Sequence, residues 1–204
     1  MILEPILKLT PINELRPTQI TVGMREVKEK RRRWRKEHGV KAGEFLASHM
    51  IPVVLGPKER RYVTDHHHLA LALRDEGVKN VATTVILDLS HLELEAFWVV
   101  LDNRGLTHPF DQHGKRRSYR DIPHSVDELV DDPYRSLAGE LRWVGGYAKD
   151  TAPFSEFQWA DFLRRNIDRE KIKTHFKRAL DEARKLARSK QAGYLPGWCG
   201  KTDD

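Results

Sequence analysis

Apolar positions along the chain follow two spacings, and these predict its elements. Short β-branched runs read as strands: Ile6-Leu7-Lys8-Leu9 near the start, Ile51-Pro52-Val53-Val54-Leu55 up to the turn signal Gly56-Pro57, and a returning hairpin arm over 60–64. A further run over 81–89, with Val85-Ile86-Leu87 at its centre, predicts a buried strand. Helical spacing predicts helices over 23–38, ending at Gly39, over 69–76, ending at Gly77, and over 92–103, where Leu94, Phe97, Trp98 and Leu101 share a core-facing stripe. Beyond Gly105 the strand signals stop. Ser125-Val126-Asp127-Glu128 and Ser155-Glu156-Phe157-Gln158 match capping boxes, and Asp132-Pro133 sets a cap before a proline at the first helical position. Asp168 caps a long last helix whose Ile172, Phe176, Leu180, Ala183 and Leu186 keep one apolar face. The expected class is α+β: a small mixed sheet with helices over 1–105, then a mainly helical half over 106–204.

Composition narrows the setting. The chain has 204 residues, 39% hydrophobic and 32% charged, which suits a soluble protein with a modest core. No run approaches the roughly 18 apolar residues of a membrane span, and the first residues carry no export signal. The single cysteine, Cys199, forms no internal disulfide and leaves no Cys-x-x-Cys zinc site, so a reducing cytoplasm is expected. A net charge of +6 points to anionic partners, with basic residues concentrated over 28–36 and 169–190. Either run can be a solvated helix face or a contact to DNA phosphates.

The chemistry concentrates at Val63-Thr64-Asp65-His66-His67-His68-Leu69-Ala70, where a strand is expected to run straight into a helix. Such a junction turns free N–H groups and a helix dipole's positive end outward, which favours a phosphate. Asp65 is either an N-cap or a hard oxygen ligand for Mg²⁺. His67 or His68 could bond a phosphate or act as general acid. Three successive histidines stand about 100° apart on a helix, so they make a poor joint chelate. Pro17 stiffens the loop Arg16-Pro17-Thr18-Gln19, from which Arg16 can pair with phosphate and Gln19 can orient a nucleotide or a water. Asp88 either joins Asp65 on a metal or caps the helix near Ser90. His108, Asp111 and His113, with Asp102-Asn103-Arg104 just ahead, form a second polar cluster that lines either the same cleft as Asp65 or a separate one. Gly145-Gly146 with Lys149 reads as a phosphate contact or as a plain turn.

Taken together, the segment ending in Leu15-Arg16-Pro17-Thr18-Gln19, the basic helix, the hairpin, the Asp-His-His-His junction and Val85-Ile86-Leu87-Asp88 resemble the ParB/sulfiredoxin fold, over roughly residues 5–105. Within it the chain is most similar to the ParB-like nuclease branch, with His108-Pro109-Phe110-Asp111 and the segment 132–140 resembling that branch's own additions. Pro17-Thr18-Gln19 resembles the segregation proteins' first box through its proline and glutamine only. Against the free-serine kinases' Asp-Gly-His-His-Arg, this chain keeps Asp65, His67 and His68, with His66 for the glycine and Leu69 for the arginine. The kinases' catalytic glutamate falls at Gln19, and sulfiredoxin's reactive cysteine has no counterpart.

The resemblance implies a Mg²⁺-dependent enzyme that binds a nucleotide (ATP, ADP or CTP) or a phosphorylated small molecule and transfers or hydrolyses a phosphoryl group. In that reading Asp65, His67 and His68 are catalytic, Arg16, Gln19, His66 and His108 bind phosphate or nucleotide, and Asp65, Asp88 and Asp111 hold the metal. The alternatives are a metal-dependent nuclease or a non-enzymatic DNA-binding protein of the partition type. No membrane partner is expected, and the oligomeric state stays open.

Overall fold

The computed structural model describes residues 8–200, apart from the side chains of 8, 38–42 and 47. Ile6 and Leu7 of the first expected strand therefore lie outside the described residues. The elements run β1 (Lys8–Pro11), β2 (Leu15–Pro17), β3 (Thr21–Val22), α1 (Met24–Ser48), β4 (Ile51–Gly56), β5 (Arg60–Val63), α2 (His67–Asp75), β6 (Asn80–Asp88) and α3 (Leu94–Asn103). The second half adds β7 (Val130–Asp131), α4 (Pro133–Trp143), α5 (Ser155–Asn166), α6 (Arg169–Thr174) and α7 (Phe176–Ala187). The class is α+β, as the spacing predicts.

Five strands form a mixed sheet in the order β1-β6-β4-β5-β2. The hairpin pairs Val53 with Val63 antiparallel, while β4 runs parallel to β6 and β2 parallel to β5. Strand side chains alternate between faces, and here both faces are covered. Val53, on one face, joins Leu15, Val63, Leu69, Leu73 and α1 residues Val27 and Trp34. Val54, on the other, joins Tyr62, Phe97, Trp98 and Leu101. A third cluster, centred on Leu137, Trp159 and Leu163, holds α4 to α7 together. The two halves are also stitched by backbone: β3 pairs parallel with β7, and Gln19 bridges to His108.

Several local expectations are corrected. Helix α1 passes through Gly39 and ends at Ser48. A mid-helix glycine costs about 1 kcal/mol, and Phe45, buried and packed edge-on against Trp34 at 5.3 Å, offsets that beyond it. The Val85-Ile86 stretch of β6 is exposed rather than buried, whereas Val81 to Thr83 of the same strand are buried. The expected long last helix is broken at His175 (φ −136°, ψ 51°) into α6 and α7. Ser125 caps only a single 3₁₀ turn. Ser155 is not a cap at all, since the residue before it, Phe154, holds that position. Asp132 and Asp168 do cap their helices, each accepting a backbone N–H two residues on. Among the described residues no helix is long and apolar enough to cross a membrane.

Candidate functional site

β5 ends at Val63 and α2 begins four residues later, so the chain must turn sharply at Asp65-His66. His66 makes the turn in the left-handed conformation (φ 65°, ψ 24°), where a side chain costs about 1–2 kcal/mol. That is the position at which the resembled kinases carry glycine. Asp65 is exposed and its Oδ1 accepts the His66 N–H at 2.6 Å, so it stiffens the turn instead of capping the helix. The first intrahelical bond of α2 runs from the Ala70 N–H to the His66 carbonyl, leaving the N–H groups of His67, His68 and Leu69 without a backbone acceptor.

The junction opens on a cleft of about 570 Å³ whose opposite wall comes from the helical half. There α5 begins the same way, with Phe154 left-handed (φ 56°, ψ 31°) and no side chain closing its N-terminus. Two helix N-termini, one from each half of the chain, thus line one cleft. Lys30, Arg142 and Lys149 also line it, as do the carboxylates of Glu26, Asp65, Asp150 and Glu156. Lys30 pairs with Glu26 and Arg142 with Glu156.

Arg135 is the odd one out. It lies in the first turn of α4, where a cation opposes the helix dipole, and it is only 7% exposed. Its Nη2 stands 3.4 Å from Glu26, and its guanidinium sits 5.4 Å from the centre of the Phe157 ring. Among the described residues, Nε and Nη1 have no hydrogen-bond partner. The Nδ1 atom of His66 is likewise buried and unpartnered. Buried donors without acceptors cost about 1–3 kcal/mol each, a cost an entering anion removes.

His67 and His68 face inward. The Nε2 of His67 accepts the Thr18 N–H at 3.1 Å, and the Nε2 of His68 accepts the Gly23 N–H at 2.9 Å. Burial pushes the His67 imidazole down to about 3, against the pull of Asp65, and drives His68 well below the usual histidine range. Both are neutral rings whose accepting nitrogens are already used. The geometry makes them struts that hold the 18–23 loop, and with it Gln19, against the α2 N-terminus, which replaces the expected general-acid role. Gln19 is buried at the cleft and donates to the Thr21 carbonyl at 2.6 Å.

The other expected site residues disperse. Arg16 lines a different cavity, with Arg60 and Trp98. Asp88 is exposed and accepts the Ser90 N–H at 2.9 Å in a turn, but it caps no helix, because α3 begins at Leu94 with Glu93 in the cap position. Asp111 is buried in its own loop, bonded to the His113 and Lys115 N–H groups and paired with Arg117. His108 is stacked among Phe110, Phe154 and Phe157, with the Phe157 ring 4.0 Å away, and burial lowers it to about 3. His108 and Asp111 line a smaller neighbouring cavity of about 210 Å³ that shares only Phe157 with the cleft. Asp65, Asp88 and Asp111 therefore do not meet, and among the described residues no group of three His, Cys, Asp or Glu side chains could hold a metal ion. Gly145-Gly146 closes α4 as a plain turn, with Gly145 at φ 75°, whereas Lys149 does reach the cleft. Arg135 and the α5 N-terminus escaped the sequence reading. The available signal was a cation two residues after the helix-opening proline.

A sheet closed on both faces, with a helix opening straight off a strand into a cleft shared with a helical extension, defines an α+β domain of the ParB/sulfiredoxin kind. The chain belongs to the ParB-like nuclease family: a family model described as "Putative ParB-like nuclease" matches residues 9–165. No curated protein matches the chain. Among solved structures it is similar to the crystal structure of protein Atu1540 from Agrobacterium tumefaciens, at 55% identity and a TM-score of 0.91, covering 97% of this chain and 99% of that one.

Proposed function

We propose that the cleft binds the phosphates of a nucleotide and that the protein is an enzyme of phosphoryl transfer or phosphate-ester hydrolysis. The observation that carries this reading is Arg135, a buried guanidinium with two unpartnered nitrogens beside two uncapped helix N-termini. Fixed N–H dipoles and a planar fork suit phosphate oxygens, and in a recessed site they act with little screening. His67 and His68 keep the Gln19 loop against the bound group, and Asp65 stands at the rim.

The residues suit Mg²⁺ only in company with phosphate. Mg²⁺ is commonly held by one or two carboxylates together with substrate oxygens and water, and Asp65 is the carboxylate placed for that, with Oδ2 outside any hydrogen bond among the described residues. The ion would supply charge neutralisation on the transferred group. Calorimetry with ATP, ADP and CTP, each with and without Mg²⁺, tests the reading. Absence of heat at about millimolar ligand, on the affinity scale of ordinary nucleotide sites, refutes it.

The family description favours a second reading, in which the same cleft holds a phosphodiester of nucleic acid. A groove between α1 and α4, lined by Arg25, Lys28, Arg32 and the 80% exposed Trp143, shares Glu26 and Arg142 with the cleft. Cleavage of single- or double-stranded DNA or RNA with Mg²⁺ or Mn²⁺, lost in Arg135→Ala, would select this reading over a mononucleotide enzyme. Retardation of DNA at about 0.15 M salt without cleavage would select a non-enzymatic binder.

A further inference from the structure

A second cavity, of about 770 Å³, shares no lining residue with the cleft. Its position follows from the sheet register: Arg16 on the edge strand β2 sits beside Tyr62 on β5, and Arg60, two residues before Tyr62, projects from the same face. Leu94 and Trp98, one turn apart on α3, form the adjoining wall, and Tyr119, Arg120 and Ile122 close it. Tyr119 lies parallel to Trp98, their rings 5.9 Å apart and inclined by 13°. Leu94 is 51% exposed at the mouth.

Many arginines of this molecule are matched with carboxylates: Arg31 with Asp75 and Glu76, Arg74 with Asp127, Arg117 with Asp111 and Arg164 with Asp132. Arg16, Arg60 and Arg120 form no ion pair among the described residues, although Glu95 is the one carboxylate lining the cavity. Three like charges converging on one aromatic floor repel each other, and an anion relieves that repulsion. The volume falls within the roughly 300–1,000 Å³ of ordinary ligand sites.

We propose that this cavity is a second binding site, for a nucleoside monophosphate unit, whether a free nucleotide or the 5′-phosphorylated end of a single strand. The base lies against Leu94, Trp98 and Tyr119, and the phosphate is gripped by the guanidinium forks of Arg16, Arg60 and Arg120. This stands independently of the cleft, because the two sites have no residue in common.

The test uses the full chain. AMP binding is measured by calorimetry and by Trp fluorescence in wild type, in Arg60→Ala/Arg120→Ala, in Leu94→Glu and in Arg135→Ala. All the substituted second-site positions are exposed, and thermal melts check that each variant folds. AMP affinity is expected to fall about tenfold or more in both second-site variants and to persist in Arg135→Ala. Wild-type affinity in both second-site variants overturns the proposal. So does loss in Arg135→Ala alone, which places the nucleotide in the cleft and leaves the cleft reading intact. Inorganic phosphate binding as tightly as AMP also overturns it, since the base would then contribute nothing. A 5′-phosphorylated oligothymidylate that displaces AMP, where its unphosphorylated form does not, identifies a strand end as the source. Displacement by AMP-like mononucleotides only identifies the free nucleotide.

Discussion

Replacing Arg135 by methionine should separate stability from binding in opposite directions. The arginine side chain is 8% exposed, and among the described residues its Nε and Nη1 are unpartnered and its one ionic contact is Glu26 at 3.4 Å. Methionine keeps an unbranched apolar stem against Phe157 and removes the buried donors. Glu26 retains Lys30 at 3.4 Å, so it is not left alone. Relief of unsatisfied buried polarity is worth about 1–3 kcal/mol, and a chain of this size gains about 2–4 °C in Tm per kcal/mol. The ligand-free variant should therefore melt at or a few degrees above wild type. Each lost charge-assisted bond to phosphate costs about 1.5–3 kcal/mol, or about 10- to 150-fold in affinity. Differential scanning fluorimetry without ligand, followed by calorimetry with pyrophosphate and ADP, reads both effects. A variant that melts several degrees lower and still binds pyrophosphate like wild type would show Arg135 to be a structural residue, and the argument from orphaned donors would fail.

Three further outcomes are expected. Gly139→Ala lies inside α4, and an added Cβ meets the Arg135 Nη1 at 3.1 Å; helix propensity raises stability by about 1 kcal/mol, while the displaced guanidinium weakens pyrophosphate binding, as paired melts and calorimetry would show. Acidification should destabilise the fold, because His67 and His108 are held neutral down to about 3 in the native state but bind protons near 6.5 when unfolded. Between those limits the unfolded state takes up more protons, so stability falls as pH drops below about 6.5, by up to about 1.4 kcal/mol per unit per histidine. Urea melts at pH 7 and pH 5 check this, and His67→Gln, which keeps an acceptor for the Thr18 N–H, should flatten the slope. Asp132→Ala removes both the cap on the Tyr134 N–H and the partner 2.5 Å from Arg164. A loss of about 3–5 kcal/mol is expected, with a Tm drop near 6–20 °C; a variant melting within a degree of wild type would contradict it.

The hairpin, the strand-to-helix junction, the caps at Asp132 and Asp168 and the α+β class were legible in the residues, because each follows from neighbours within a few positions. The free backbone N–H groups at the start of α2 were legible for the same reason. Which histidines face solvent was not: His67 and His68 are consumed by the Thr18 and Gly23 N–H groups, 49 and 45 residues away in sequence. Gly39 failed to stop α1 because Phe45, beyond it, is buried against Trp34.

Local order along the chain thus decided where a helix would start with backbone N–H groups left free at a forced turn. Tertiary structure alone decided what faces it. Arg135 and the α5 N-terminus reach the cleft only because β3 pairs with β7 and α4 packs beside α1. Asp88, Asp111 and Arg16, alike in composition to the site residues, were carried elsewhere by the same packing. Side-chain chemistry is written residue by residue, but convergence depends on contacts between segments about a hundred residues apart, which spacing along one strand or helix does not encode.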